Sequence, residues 1–89
     1  MIDPSNTAAD VLIIVRTITH TSMSDQKLLE AEYLEEGFMD SLQFVEMITM
    51  LEQEFHVRFS GTELTSANFR TLRGVVSTIE RNVAKRKTN

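Results

Sequence analysis

Apolar residues recur at helical spacing in three separate stretches of this chain. Ala8, Val11, Ile14, Val15 and Ile18 fall within one sector at about 100° per residue, which predicts a first helix over 5–19. Its start is marked by Asp3-Pro4-Ser5, where Asp3 or Ser5 can cap and Pro4 suits the first turn. Phe44, Ile48, Leu51 and Phe55 form the core stripe of a second helix over 41–55, with Met47 on one flank and Val45 on the other. Leu72, Val75, Val76, Ile79 and Val83 place a last helix over 71–84. Gly74 inside it costs about 1 kcal/mol relative to Ala, which suggests a close helix contact at that point.

The connections are less regular. Residues 20–40 show no sustained periodicity and read as a long loop, with a short turn around 27–31 and a positive φ at Gly37 leading into the second helix. A loop of that length is unusual in a compact domain and points to function. His56-Val57-Arg58-Phe59-Ser60-Gly61 alternates briefly and then breaks, as suits an extended linker that tucks Val57 and Phe59 inward. A short helix over 65–69 follows, with Leu64 and Phe69 plugging the core. The expected fold is all-α: a small antiparallel bundle of three main helices plus one short helix, forming a single domain over 1–89.

One apolar residue breaks the pattern of the second helix. Leu42 projects among Glu46, Thr49 and Gln53 on the polar side, one residue after a serine. Single exposed leucines usually mean nothing, but beside a serine and among acids, Glu52 included, this one is a candidate docking knob. The preceding Asp40-Ser41 stands where the irregular acidic stretch gives way to the helix. Ser41 there projects its hydroxyl at a helix mouth, where free N–H groups and the positive end of the dipole favour an attached phosphate. The ordinary explanation of such a triplet is a helix cap.

Composition narrows the chemistry. Eighty-nine residues bury only about 60 to 65% of their unfolded surface, which leaves little room for an interior catalytic cleft. The absence of cysteine excludes disulfides, thiolate nucleophiles and cysteine-ligated metals, so any thiol chemistry must be imported. The apolar run 11–15 lacks a basic lead and is too short to span a bilayer, so a cytoplasmic protein without membrane insertion is expected. The net charge of −4 hides an asymmetry. Between Glu30 and Glu54 lie eight acids and no Lys or Arg, whereas from Arg70 onward six basic residues face Glu80 alone. The acidic middle argues against nucleic acid as a partner. His20 and His56 form no triad or metal spacing, and Glu35-Glu36 reads as a solvated acidic face, so no catalytic or metal-binding residue is expected.

The run Gly37-Phe38-Met39-Asp40-Ser41-Leu42, followed by Phe44-Val45-Glu46-Met47 and Leu51-Glu52-Gln53-Glu54-Phe55, resembles the attachment motif and following helix of acyl carrier proteins. Glu63-Leu64-Thr65-Ser66-Ala67-Asn68-Phe69 is similar to the short third helix of stand-alone carriers. The resemblance implies that Ser41, within the Asp40-Ser41 motif, receives 4′-phosphopantetheine from coenzyme A through a phosphopantetheinyl transferase. The arm's thiol then holds an acyl group as a thioester. It further implies a monomeric, non-enzymatic carrier of fatty-acid, polyketide or related specialised biosynthesis, met by loading and transferring enzymes through Leu42, Glu46, Thr49, Gln53 and Glu52. The Gly-x-x-Asp-Ser spacing, with Gln43 and Phe44, departs from the common fatty-acid form. That departure brings a specialised acyl carrier to the fore, with a D-alanyl or aminoacyl carrier second. A reading of another class remains: a non-covalent helical interaction module in which Ser41 only caps its helix.

Overall fold

The computed structural model describes residues 7–87, with side chains through Lys85. Its elements are α1 (Thr7–Thr19), α2 (Asp25–Glu30), α3 (Ser41–Phe55), α4 (Gly61–Leu64), a 3₁₀ helix (Ala67–Arg70) and α5 (Leu72–Lys87). The expected all-α, acyl carrier-like bundle is observed. Among the described residues no strand forms, and Glu32 and Thr71 make one isolated antiparallel bridge.

Helix α1 packs against both α3 and α5, so its apolar face lies at the centre of the molecule. Val11 and Val15 are fully buried, and Leu12, outside the anticipated stripe, is buried beside them. The caps expected at Asp3 or Ser5 lie outside the described residues. In α3 the buried residues are Met47, Leu51 and Phe55, whereas Phe44 and Ile48 are half-buried. Met47 therefore occupies the centre of the stripe rather than its flank. The whole face is rotated toward it because Phe44 packs sideways on Tyr33, ring centroids 6.1 Å apart and 17° from parallel.

The stretch 20–40 is more ordered than its sequence suggests. Ser24 caps α2 by accepting the Lys27 N–H, and Leu28, Ala31, Tyr33 and Met39 are all buried. With so few apolar residues per turn, this short helix has no period to read; burial of isolated side chains holds it in place. Arg16 ties its start to α1, meeting the Asp25 carboxylate at 2.8 Å and the Met23 carbonyl at 2.6 Å. Arg73 of α5 grips Glu30 at the other end at 2.7 and 3.1 Å. Tyr33, fully buried, donates its hydroxyl to the Phe69 carbonyl, and burial pushes its ionisation well above the usual phenol range.

Two helices end in the same way. His20 and His56 follow α1 and α3 with φ of 57° and 54°, the left-handed conformation that closes a helix and that His tolerates better than most residues. Gly37 takes the expected positive φ, at 82°.

The short helix anticipated over 65–69 is instead two pieces. Ser60 and Glu63 form a reciprocal capping box that starts α4 at Gly61, and the 3₁₀ helix begins after Ser66. Val57, Phe59 and Phe69 are buried as expected, with the rings of Phe59 and Phe69 edge to face at 5.1 Å, while Leu64 is half-buried. Gly74 does mark a close contact: a Cβ there would lie 1.7 Å from the Asn68 carbonyl oxygen of the 3₁₀ helix. Glycine is what lets α5 lie directly on that turn.

Candidate functional site

The start of α3 is built by residues on either side of Ser41. Asp40, in extended conformation, is the N-cap; its carboxylate accepts the Gln43 N–H at 2.8 Å, and the Gln43 side-chain oxygen accepts the Asp40 N–H at 3.0 Å. The Gln43 amide also donates to the Ile18 carbonyl at 3.3 Å, which fixes the start of α3 to the end of α1. On the other side, the Met39 N–H reaches the Tyr33 carbonyl at 3.3 Å and Met39 is buried, so the incoming chain is anchored as well.

Within this frame the Ser41 hydroxyl is exposed, and no hydrogen bond to a described residue engages it. Asp40, not Ser41, performs the capping. The Phe44 N–H bonds to the Asp40 carbonyl and the Gln43 N–H to the Asp40 carboxylate. The amides of Ser41 and Leu42 are left without an intrahelical acceptor, at the end of the helix where an anion is favoured. The other described serines are placed differently. Ser24 and Ser60 are caps, Ser66 donates to the Glu63 carbonyl, Ser22 lies in the loop and Ser77 sits in mid-helix. Among the described serines, only Ser41 offers an unengaged hydroxyl at the N-terminus of a long helix. The fit to an attached phosphodiester is good.

The surface beside it carries Leu42, 76% exposed, and Val45, 59% exposed. Glu46, Thr49 and Gln53 are exposed on the same side of α3. Glu52 is not equivalent to them: half-buried, its carboxylate accepts the Phe59 N–H at 2.9 Å and holds the segment after α3. Its acid is occupied by the fold rather than offered outward. Two residues shape the site in ways that the sequence analysis does not assign to them. Gln43 had a readable signal, since Asp-x-x-Gln has the spacing of a capping box. Tyr33, the chain's one tyrosine, had none, because its partner Phe69 lies thirty-six residues away.

Among the described residues no cluster of three or more His, Cys, Asp or Glu could hold a metal ion, and no helix is long and apolar enough to cross a membrane. No curated protein and no solved structure matches the chain. The phosphopantetheine attachment site family does, over residues 9–79, a span that contains most of α1, the Asp40-Ser41 turn and all of α3. Members carry 4′-phosphopantetheine covalently on a serine and interact with transferases and biosynthetic enzymes. With its helical bundle and a match over most of its length, the chain belongs to the phosphopantetheine-binding carrier family.

Proposed function

We propose that Ser41 carries the 4′-phosphopantetheine arm and that the chain shuttles an acyl group of a specialised biosynthetic pathway between enzymes. The observation that carries this reading is the division of labour at the start of α3, where Asp40 closes the helix and leaves the Ser41 hydroxyl free. When bound, the arm supplies the thiol that this cysteine-free chain lacks. The residues of the chain position and present it. The free amides of Ser41 and Leu42 face the phosphate charge. The Asp40–Gln43 box and the Gln43–Ile18 bond hold the attachment point at a fixed place on the surface. Asp40 is engaged by the Gln43 amide, so its role here is structural, and the base that activates Ser41 belongs to the transferase.

Client enzymes meet the face formed by Leu42 and Val45 with Glu46, Thr49 and Gln53. Exposed carboxylates accelerate encounter with basic patches while leaving each complex weak enough to release, and the apolar pair supplies a small anchor. Glu52 drops out of this set because its carboxylate serves the fold.

The test is intact mass after incubation with coenzyme A and a broad-specificity phosphopantetheinyl transferase. The protein should gain one arm and Ser41→Ala none. If wild type gains nothing, the chain is a non-covalent module and Ser41 is only part of a helix start. On the docking face, Leu42→Asp and Glu46→Lys should leave the fold intact and impair transfer to partners. Loading of both at wild-type rates would remove the docking assignment.

A further inference from the structure

The far end of α3 carries a surface of opposite sign to the docking face. At 15 residues the helix is about 22 Å long, so His56 at its close stands that far from Ser41. From there two open hollows run across the molecule. One is lined by His56, Arg58 and Lys85 with Glu52, the other by Arg81 and Lys85 with Glu63. Asn82 and Lys85 line both, so the two hollows form one continuous surface.

Its charges are unequally available. The acids are engaged by the fold: Glu52 accepts the Phe59 N–H at 2.9 Å, and Glu63 accepts the Ser60 N–H at 2.9 Å and the Asn82 amide at 3.4 Å. The arginines are exposed, and among the described residues neither Arg58 nor Arg81 makes an ion pair; Arg81 donates to the Thr78 hydroxyl at 3.4 Å. Arg16 and Arg73, by contrast, tie down α2. A complement to the α5 dipole accounts for Lys85 near the end of that helix, not for Arg58, which stands on the segment after α3. Glu54 and Glu80, exposed on α3 and α5, line neither hollow. The large exposed hydrophobics of the described residues, Ile13, Leu34, Leu42 and Val45, all lie elsewhere, so the surface has nothing to insert into a bilayer. No Phe, Tyr or Trp lines it on which a base could stack. Guanidinium and ammonium groups set beside the amide of Asn82 match carboxylates spaced along an extended chain.

We propose that this surface, centred on Arg58, Arg81 and Lys85, binds an acidic, extended segment of a partner protein. It lies at the other end of α3 from Ser41 and Leu42, so the two surfaces can be occupied together. An enzyme that holds the chain by this end keeps the Leu42 face within reach at a high effective concentration, without any tighter contact at that face.

The experiment titrates the full ¹⁵N-labelled chain, without an arm, with a deca-glutamate peptide and follows its amide shifts. At low salt, saturable shifts should gather at 56–58 and 78–85 and be absent from 41–45. Exposed charges are screened beyond about 8 Å at physiological ionic strength, so added salt should weaken the binding. Arg58→Glu should lose roughly fivefold in affinity, and Arg58→Gln, the milder change if the reversal disturbs the fold, about twofold. Lys27→Glu makes the same change of net charge on an exposed residue of α2 and should bind like wild type. An absence of shifts at low salt, shifts centred on the start of α3, or an equal loss in Lys27→Glu overturns the proposal. Tighter binding of phosphatidylserine-containing vesicles or of a DNA duplex through the same arginines also overturns it, in favour of a lipid or nucleic-acid partner. The same shifts on concentrating the protein alone assign the surface to the acidic face of a second copy and overturn it likewise. None of these readings depends on Ser41, whose modification is decided separately by mass.

Discussion

Replacing Gly74 by alanine sets two known effects against each other. Glycine in a helix interior is about 1 kcal/mol worse than alanine, so on propensity alone Gly74→Ala stabilises α5. Against that stands the carbonyl of Asn68, with its oxygen 1.7 Å and its carbon 2.6 Å from the new Cβ. Ordinary contact begins near 3.4 Å, so the 3₁₀ helix and α5 must separate by well over an ångström. Both partners are backbone and neither is the free end of a side chain, which puts the overpacking at or above the upper end of the usual 1–3 kcal/mol, or about 3 kcal/mol. Displacing the 3₁₀ helix also uncovers Phe69, 3% exposed and worth roughly 1.5–3 kcal/mol when buried, and pulls its carbonyl from Tyr33.

The net expectation is a loss of about 2–4 kcal/mol, which in a domain of this size lowers the melting temperature by roughly 10–25 °C. Urea unfolding followed by circular dichroism measures it directly. Gly61→Ala is the internal control: it lies at the start of α4, its Cβ meets nothing within 4 Å, and its melting temperature should hold or rise slightly. A Gly74→Ala protein as stable as wild type, or more so, would refute the close packing of α5 on the 3₁₀ helix.

Three further outcomes are expected. Tyr33→Phe leaves the Phe69 carbonyl without its donor in a buried position and should cost about 1–3 kcal/mol in denaturant unfolding, with little change in m-value. His20→Gly relieves a side chain held at a φ of 57° and should raise stability by about 0.5–1 kcal/mol, measured as an upward shift of the melting curve. Glu63 is held below its ordinary carboxylate range, first by the Ser60 N–H, which outweighs the opposing effect of burial, and further by Asn82, the Ser60 hydroxyl and Lys85. Since its acidity is greater in the folded state, its stabilising contribution is present above the ordinary value of 4.5 and is lost as pH falls through the folded one; Glu63→Gln should flatten the acid limb of a melting-temperature profile.

Much of this molecule can be read from local pattern, because α1, α3 and α5 are amphipathic and long enough for a 3.6-residue period to show. The bounds of α3, the exposure of Leu42 and the turn at Gly37 all follow from residues adjacent in sequence. What escapes is fixed at a distance. The segment from 20 to 40 is ordered by single buried residues and by Arg16 and Arg73 reaching from other helices, none of which leaves a periodic trace. The rotation of the α3 stripe depends on Tyr33, whose position is set by Phe69. At the site, Ser41 was legible but the identity of the cap was not, since Asp and Ser are both good N-caps and only geometry decides between them. Glu52 has the same sequence signature as its acidic neighbours, and only the Phe59 amide on its carboxylate sets it apart. The alternation from His56 onward suggests extended backbone, yet His56 closes α3 with a φ of 54°, and His20 closes α1 in the same way without a local signal for it.

The reciprocal bonds between Asp40 and Gln43 have an effect on how the molecule can be reused. A serine that sealed its own helix would have to surrender that bond each time it was esterified, and the helix would fray with every cycle. Here the neighbouring residue keeps the helix shut, so the arm proposed at Ser41 would come and go without breaking the Asp40–Gln43 box. On that proposal the helix start would be the same in empty and decorated molecules, and an enzyme that tells them apart at this helix start would have to sense the appendage itself.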